Sequence, residues 1–257
     1  MDKQVVQLTI SVVSHGHKDA VIALAKQLAN ISQNTHIRLI ITINSLVIED
    51  FDRTVLDPNP QLEIQFLKNS VPLGFGANHN QAFEYCNSEY FCVLNPDITL
   101  PNNPFISLLN VFVTSVMGLA YPSQINAHDT LLDFERELVS PTSVGKRYLL
   151  GKSYESDRNK PVDWVNGAFM VFKSSVFREL GGFDERYFMY CEDVDICLRL
   201  QLAGYKLMRA DATVIHHTQR QTLKNPKHLA WHIRSLLRLW NSTPYKEYKR
   251  KFIDARK

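Results

Sequence analysis

Glu192, Asp193 and Asp195 follow directly on an aromatic run of Phe183, Tyr187, Phe188 and Tyr190. Acidic residues in the first turn of a helix complement its dipole, and that alone would account for their position. It leaves the aromatic approach unexplained. Ring faces beside carboxylates suit a sugar cleft, where C–H faces stack on the rings and hydroxyls meet the acids. A carboxylate held there could take a hydroxyl proton as a general base. Successive helical residues point about 100° apart, so Glu192 and Asp193 cannot both face the same hydroxyl.

A further carboxylate, Asp97, closes Val93-Leu-Asn-Pro-Asp97, an apolar strand running into a polar turn. Asn-Pro-Asp is a favoured turn sequence for backbone reasons alone. A carboxylate at the carboxyl end of a parallel strand nevertheless lies where α/β folds bind ligands. It could hold Mg2+ or Mn2+ against a diphosphate, since hard cations take oxygen ligands and share them with phosphates. Ile215-His216-His217 ends the last apolar segment, and a neutral imidazole there either completes such a metal site or serves structure alone. Gly74 and Gly76 stand just before a helix, where free backbone N–H groups can approach a diphosphate. An ordinary strand-to-helix turn has the same composition. His228 and His232 are spaced like a zinc pair but lack the adjacent Glu of that motif, which leaves them on a helix surface or facing a partner.

These residues need a scaffold. Val5 to Ser14 is a β-branched run ending in the polar turn Ser14-His-Gly-His17. Asp19 to Ile31 has Val21, Leu24, Ala25, Leu28 and Ile31 at helical spacing, with Asp19 as N-cap. Ile37 to Ile43 is a continuous apolar run, the mark of a strand covered on both faces. Leu62 to Leu67 reads as a strand, Ala77 to Tyr85 as a helix and Tyr90 to Leu94 as a strand. That β-α-β-β-α-β order predicts an α/β fold with a mostly parallel central sheet flanked by helices. Phe105 to Phe112 reads as helix, Met117 to Tyr121 as strand, and Ser123 to Pro161 as an irregular insertion or mobile loop region. Val162 to Phe172 is a strand interrupted at Asn166-Gly167. Ser174 to Leu180 is a short helix closed by Gly181-Gly182, and the helix through Val194 and Leu202 is ended by Gly204. Leu207 to Ile215 is a last strand, and His228 to Trp240 an amphipathic helical segment near the C-terminus.

Together, Asn69 to Asp97 and Val162 to His217 resemble the family-two glycosyltransferases of the GT-A fold. The likeness rests on Leu94-Asn-Pro-Asp97, Asp163-Trp-Val-Asn-Gly-Ala168, Gly182-Phe-Asp-Glu185 and Glu192-Asp-Val-Asp195, in the family's order and approximate spacing. Ser14-His-Gly-His17 and Trp231-His-Ile-Arg-Ser235 add a closer resemblance to bacterial rhamnosyltransferases of O-antigen and capsule assembly. The resemblance implies a metal-dependent, inverting glycosyltransferase using a nucleotide-sugar donor. The sugar would be L-rhamnose from dTDP-rhamnose, and the acceptor a glycan or lipid-linked glycan in the biosynthesis of a cell-surface polysaccharide such as lipopolysaccharide. Asp193 would be the general base, with Glu192 positioning the acceptor or the base. Asp97 and His216 would bind Mg2+ or Mn2+. Ser14, His15, Asn44, Gly74, Gly76, Asn80, Asn95, Asp97, Gly167 and Ala168 would surround the donor. Two positions depart from the family pattern. Asn95 replaces the first acid of the D-x-D motif, and Ile43 precedes Asn44 where many members carry the Asp that recognises the base.

The implied layout is a catalytic unit over residues 1–222, with a donor half to about 100 and an acceptor half from about 101, followed by a tail over 223–257. A formal net charge of +3 does not suggest nucleic acid as a partner. The charge is concentrated in the tail, where Lys246, Lys249, Arg250 and Lys251 alternate with Tyr245, Tyr248 and Phe252. Such interleaving suits an anionic membrane surface, and equally a solvated basic edge on a packed helix. Cys86, Cys92, Cys191 and Cys197 form no C-x-x-C pair and no zinc-type spacing, and buried thiols in a reducing compartment are expected. No secretory leader or membrane span is evident, which predicts a cytoplasmic protein, peripheral on the inner membrane if the tail docks there. A sugar nucleotidyltransferase would carry a Gly-rich, Arg- and Lys-containing loop after the first strand, which Ser14-His-Gly-His17 is not. A glycosidase would need two carboxylates but no phosphate-binding features. A non-catalytic carbohydrate-binding protein would release no nucleoside diphosphate.

Overall fold

The computed structural model describes residues 7–32, 36–46, 51, 62–142, 144, 161–217 and 226–256. The first part follows the expected alternation: β1 (Leu8–Ser14), α1 (Lys18–Ile31), β2 (Ile37–Ile43), β3 (Leu62–Lys68), α2 (Phe75–Phe83) and β4 (Tyr90–Leu94). A two-residue strand, β5 (Ile98–Thr99), leads to α3 (Phe105–Asn110) and β6 (Met117–Ile125). The remainder comprises β7 (Glu135–Arg136), β8 (Trp164–Val165), β9 (Phe169–Lys173), α4 (Ser174–Glu179), α5 (Glu192–Leu202), β10 (Lys206–His216), α6 (Pro226–Asn241) and α7 (Thr243–Tyr248).

Eight strands form one sheet in the order β3-β2-β1-β4-β9-β6-β10-β5. The pairs β3–β2, β2–β1, β1–β4 and β6–β10 are parallel, whereas β9 runs against both neighbours and β5 against β10. This polarity places the site. The carboxyl ends of β1, β2, β4, β6 and β10 share one edge, and the reversed β9 begins at that same edge, with Phe169 opposite Leu94.

Alternation along the central strands splits the core into two layers. Cys92, Leu94, Phe169 and Val171 face the side covered by α1 and α3, with Val21, Leu24, Leu28 and Phe105. Phe91, Val93, Met170 and Phe172 face α4, α5, α6 and α7, with Phe177, Ile196, Leu200, Leu239 and Tyr248. Each fully buried side chain of this size contributes about 1.5–3 kcal/mol. All four cysteines are buried and unpaired, as expected.

Several details depart from the sequence reading. Helix α1 starts at Lys18 with His17 as its capping residue, so Asp19 lies in the first turn. Helix α2 begins at Phe75 rather than Ala77. The strand expected from Val162 to Phe172 is two strands, β8 and β9, divided by a turn over 166–168. The insertion expected from Ser123 is ordered at its start: β6 continues to Ile125 and β7 pairs with β8. Residues 145–160 of it, and Lys224 and Lys257 of the basic tail, lie outside the described residues.

The aromatic side of the tail is packed on the body. Tyr248 is fully buried, and its hydroxyl donates to Asp163 Oδ1 at 2.9 Å and Gln201 Oε1 at 3.2 Å. Trp240 Nε1 and Tyr245 Oη both donate to the Val139 carbonyl. Lys246, Lys249, Arg250 and Lys251 remain exposed. No helix among the described residues is long and apolar enough to cross a membrane.

Candidate active site

Strand order reverses at β1, which lies between β2 and β4, and such switch points open a crevice at the carboxyl ends of the strands. Ser14 and His15 stand at the end of β1 and Asn95 to Asp97 at the end of β4. The Asn95 amide donates to the Ala168 carbonyl at 2.9 Å, fastening this turn to the start of β9. Strand β5 then pairs with the end of β10, Ile98 opposite His216. That pairing brings Asp97 Oδ1 to 3.5 Å from His216 Nε2, although the two residues are far apart in sequence. Asp97 Oδ1 is buried without a hydrogen-bond partner among the described residues. A carboxylate oxygen and an imidazole nitrogen that converge without bonding each other fit a divalent cation. No cluster of three or more His, Cys, Asp or Glu side chains occurs among the described residues, so further ligands would have to come from elsewhere.

The acidic helix lies across the same edge. Tyr190 and Cys191 adopt successive left-handed conformations, with φ of 71° and 68°, and turn the chain sharply into α5. Such residues cost about 1–3 kcal/mol each and persist only where their surroundings hold them. Asp193 accepts from two backbone amides, Val194 N to Oδ1 at 2.8 Å and Gly167 N to Oδ2 at 3.1 Å. Glu192 is buried, and its Oε2 lacks a partner among the described residues.

Burial pushes both carboxyl groups up, Glu192 well above its ordinary range with the Asp193 charge adding to the effect. For Asp193 the amide of Val194, the Arg136 guanidinium and the amide of Gly167 oppose the rise. Helix position alone favours an ionised Asp193, and burial works against it. What keeps Asp193 the more acidic of the pair is its two amide donors. The environments therefore differ: two backbone amides donate to Asp193, whereas Glu192 Oε2 has no partner among the described residues, an asymmetry of the kind that acid–base sites use. Asp195 does a different job. It binds Arg199 Nε at 2.7 Å, while the same guanidinium donates to the carbonyls of Leu180 and Gly182.

Gly74, which caps α2, and Gly76, in its first turn, both sit at close packing contacts. The Phe75 amide, at the start of α2, donates to the Phe188 carbonyl at 2.9 Å. A Cβ on Gly74 would stand 2.6 Å from that carbonyl oxygen, and one on Gly76 would stand 2.6 Å from Phe183 Cβ. Asn80 Nδ2 donates to the Phe183 carbonyl and to Glu185, and its Oδ1 accepts from the Phe183 amide. These three residues thus anchor the segment that leads into Glu192 and Asp193. Asn44 is likewise occupied, its side chain exchanging both bonds with the Leu73 backbone and accepting from Asn69. His15 Nδ1 bonds the Asn44 carbonyl. Gly167 and Ala168 lie between the Asp97 turn and the first turn of α5, the Gly167 amide bonding Asp193 and the Ala168 carbonyl accepting from Asn95.

Sequence reasoning passed over two residues at the centre. Gln124 and Asn166 form a reciprocal amide pair, Gln124 Nε2 to Asn166 Oδ1 at 2.7 Å and Asn166 Nδ2 to Gln124 Oε1 at 3.0 Å. His216 Nδ1 lies 2.9 Å from Gln124 Oε1. A continuous path therefore runs from Asp97 through His216, Gln124 and Asn166 to Gly167 and Asp193. Asn166 carried a signal, in its Asn-Gly turn; Gln124 carried none, in a stretch of weak periodicity. Also missed was His79, fully buried beside Ser11, with its pKa pushed down to about 3 by desolvation.

Residues 143–242 match the family model described as glycosyl transferase family group 2. The chain is 30% identical to the rhamnosyltransferase WbbL of Escherichia coli, over 89% of this chain and 90% of that protein. It is 45% identical to the N-acetylglucosaminyl-diphospho-decaprenol L-rhamnosyltransferase of Mycobacterium tuberculosis, over 72% of this chain and 71% of the relative. Among solved structures it is similar to the mannosyltransferase PcManGT of Pyrobaculum calidifontis in complex with GDP-Man and Mn2+, with a TM-score of 0.61 and 14% identity, covering 96% of this chain and 68% of that one. The S. aureus TarS fragment in complex with UDP-GlcNAc gives a TM-score of 0.58 at 9% identity, covering 96% and 73%. At these identities the structural likeness speaks for the GT-A fold alone.

Proposed function

The chain belongs to the family-two glycosyltransferases and acts with a nucleotide-sugar donor, and on that footing we propose that it is an inverting, divalent-cation-dependent transferase of L-rhamnose from dTDP-rhamnose to a lipid-linked glycan. The observation that carries this reading is that Asp193, bonded by the amide of Gly167, is linked through Asn166 and Gln124 to His216, whose Nε2 lies 3.5 Å from Asp97 Oδ1. The rhamnosyl assignment rests on the two relatives named for that transfer.

Asp193 takes the proton of the acceptor hydroxyl as its oxygen forms the new bond to the anomeric carbon and the bond to the diphosphate breaks. One displacement inverts the anomeric configuration. Glu192, beside Asp193, positions the acceptor or the base. Asp97 and His216 would hold Mg2+ or Mn2+, which when bound neutralises charge on the departing diphosphate. Ser14, His15, Asn95, Gly167 and Ala168 line the donor crevice. Gly74, Gly76, Asn80 and Asn44 act through the walls they brace.

The acceptor enters from the aromatic side. A cavity of about 340 Å3 is lined by Arg186, Phe188, Trp231, Arg234 and Ser235. The Phe188 and Trp231 rings meet at 4.9 Å between centroids, tilted by 48°, and Arg186 is held by Asp184. Guanidinium groups beside aromatic faces suit a sugar diphosphate. The exposed Lys246, Lys249, Arg250 and Lys251 would keep the enzyme at the cytoplasmic face of an anionic membrane. Charge reversal at Lys246, Lys249 and Arg250 should then weaken binding to anionic vesicles at low salt; unchanged binding removes that part of the reading.

The deciding experiment incubates the chain with Mn2+, a panel of sugar nucleotides and a polyprenyl-diphosphate N-acetylglucosamine acceptor. Acceptor-dependent release of dTDP from dTDP-rhamnose is expected, with inverted configuration in the product by NMR. Turnover restricted to another sugar nucleotide overturns the rhamnosyl assignment, and retained configuration overturns the single displacement.

A further inference from the structure

The path from Asp193 to His216 has a direction. A backbone N–H can only donate, and the Ala168 amide points to Asn166 Oδ1 at 3.4 Å. That contact identifies the oxygen of the Asn166 amide, since the amide nitrogen there would set donor against donor. Gln124 must then present its own NH2 to Asn166 Oδ1 and its oxygen to Asn166 Nδ2. The same Gln124 Oε1 faces His216 Nδ1. An oxygen can only accept, so Nδ1 of His216 carries a proton, and in the neutral imidazole Nε2 then turns its lone pair to Asp97. Gln124 and His216 are both buried, which shields this arrangement from competing water.

We propose that Gln124 and Asn166 are positioning residues that hold His216 in the Nδ1–H tautomer, leaving Nε2 free to bind a divalent cation together with Asp97. The opposite tautomer would point N–H at the carboxylate, close the gap with a hydrogen bond and withdraw the nitrogen from the metal. Outer-shell partners of this kind typically change metal affinity by about 10–100-fold. The inference builds on the cation reading above, but the tautomer is read in metal-free protein and stands or falls independently.

The test uses full-length protein labelled with 15N-histidine and long-range 1H–15N correlation without metal. The His216 signals are assigned by their loss in His216→Ala. Wild type should show Nδ1–H; Gln124→Leu should lose that preference; Gln124→Glu, which still accepts from Nδ1, should keep it. Calorimetry of Mn2+ in the presence of a nucleoside diphosphate should give ~10-fold or greater weakening in Gln124→Leu and no added loss in Gln124→Leu with His216→Ala. A wild-type His216 protonated on Nε2 overturns the inference without any variant. So does a Gln124→Leu protein that keeps the Nδ1–H tautomer, or one whose Mn2+ affinity matches wild type while His216→Ala loses it. If His216→Ala itself leaves Mn2+ affinity intact, the cation reading fails, and the role proposed for the amide pair fails with it.

Discussion

The amide of Gly167 donates to Asp193 Oδ2 at 3.1 Å, joining the turn before β9 to the first turn of α5. With Val194 N on Oδ1, both oxygens of Asp193 serve as acceptors, an arrangement that the ionised carboxylate satisfies fully. The same turn holds the Asp97 loop through the Asn95 amide on the Ala168 carbonyl.

Asp193→Asn should reduce transfer by ~10²-fold or more while leaving donor affinity close to wild type. The amide cannot accept from both backbone donors, so a stability loss of about 1–3 kcal/mol should accompany it. Steady-state kinetics with a donor-binding titration checks this. Near-wild-type turnover in a folded, donor-binding variant would transfer the base role to Glu192.

Glu192→Gln separates the two acids by their pH dependence. The folded state binds the Glu192 proton more tightly than the unfolded chain does, since burial raises its pKa well above 4.5. That preference stabilises the fold at low pH and is lost as pH rises through the raised folded value. Gln does not titrate, so the variant should melt at a higher temperature than wild type at pH 8, the gap narrowing towards pH 4.5. A variant less stable than wild type at pH 8 would mean that Glu192 is ionised in the folded protein.

Gly74→Ala should destabilise the protein by about 1–3 kcal/mol, because the new methyl meets the backbone of Phe188 rather than a side chain that could turn aside. Turnover should fall as well, since Phe188 leads into the carboxylates proposed for catalysis. Chemical denaturation and kcat report the two effects, and an unperturbed protein would break the proposed link between α2 and the active site.

Asp97→Asn and His216→Ala should each weaken Mn2+ binding measured with nucleoside diphosphate present. Without nucleotide even wild type should bind poorly, because two protein ligands leave most of the coordination sphere to water and phosphate. Calorimetry showing equally tight binding with and without nucleotide would contradict this.

Arg234→Ala should raise the KM for a diphosphate-bearing acceptor by ~10-fold with the donor KM unchanged, as expected of a charged contact to a phosphate. An equal rise with a diphosphate-free acceptor analogue would place Arg234 outside the acceptor's diphosphate contact.

The order of strands and helices, and both acidic motifs, were legible because each writes itself locally: β2 as an unbroken apolar run, α5 as apolar residues at helical spacing. The polarity of β9 was not, since a strand's direction depends on partners far away in sequence. That reversal puts Asn166 and Gly167 at the edge where β4 ends, so their neighbours Asp193 and Gln124 could not be inferred from spacing. The two readings of Gly74 and Gly76 stayed open in the sequence for a related reason. A phosphate loop and a close backbone crossing ask for the same residue, and only the position of Phe188 distinguishes them.

Strand pairing between β5 and β10 has a consequence for the order of assembly. Thr99 and His217, which bond across that pair, are separated by 118 positions in the chain. Contacts so distant in sequence incur the cost of loop closure before they contribute, so they form late and slow folding. The β1–β2–β3–β4 half can collapse early on contacts nearer in sequence, but Asp97 meets His216 only once β10 has docked. Nucleotide-assisted Mn2+ uptake during refolding would therefore report completion of the native state, and a nascent chain still short of His216 would hold a half-built donor crevice without its imidazole.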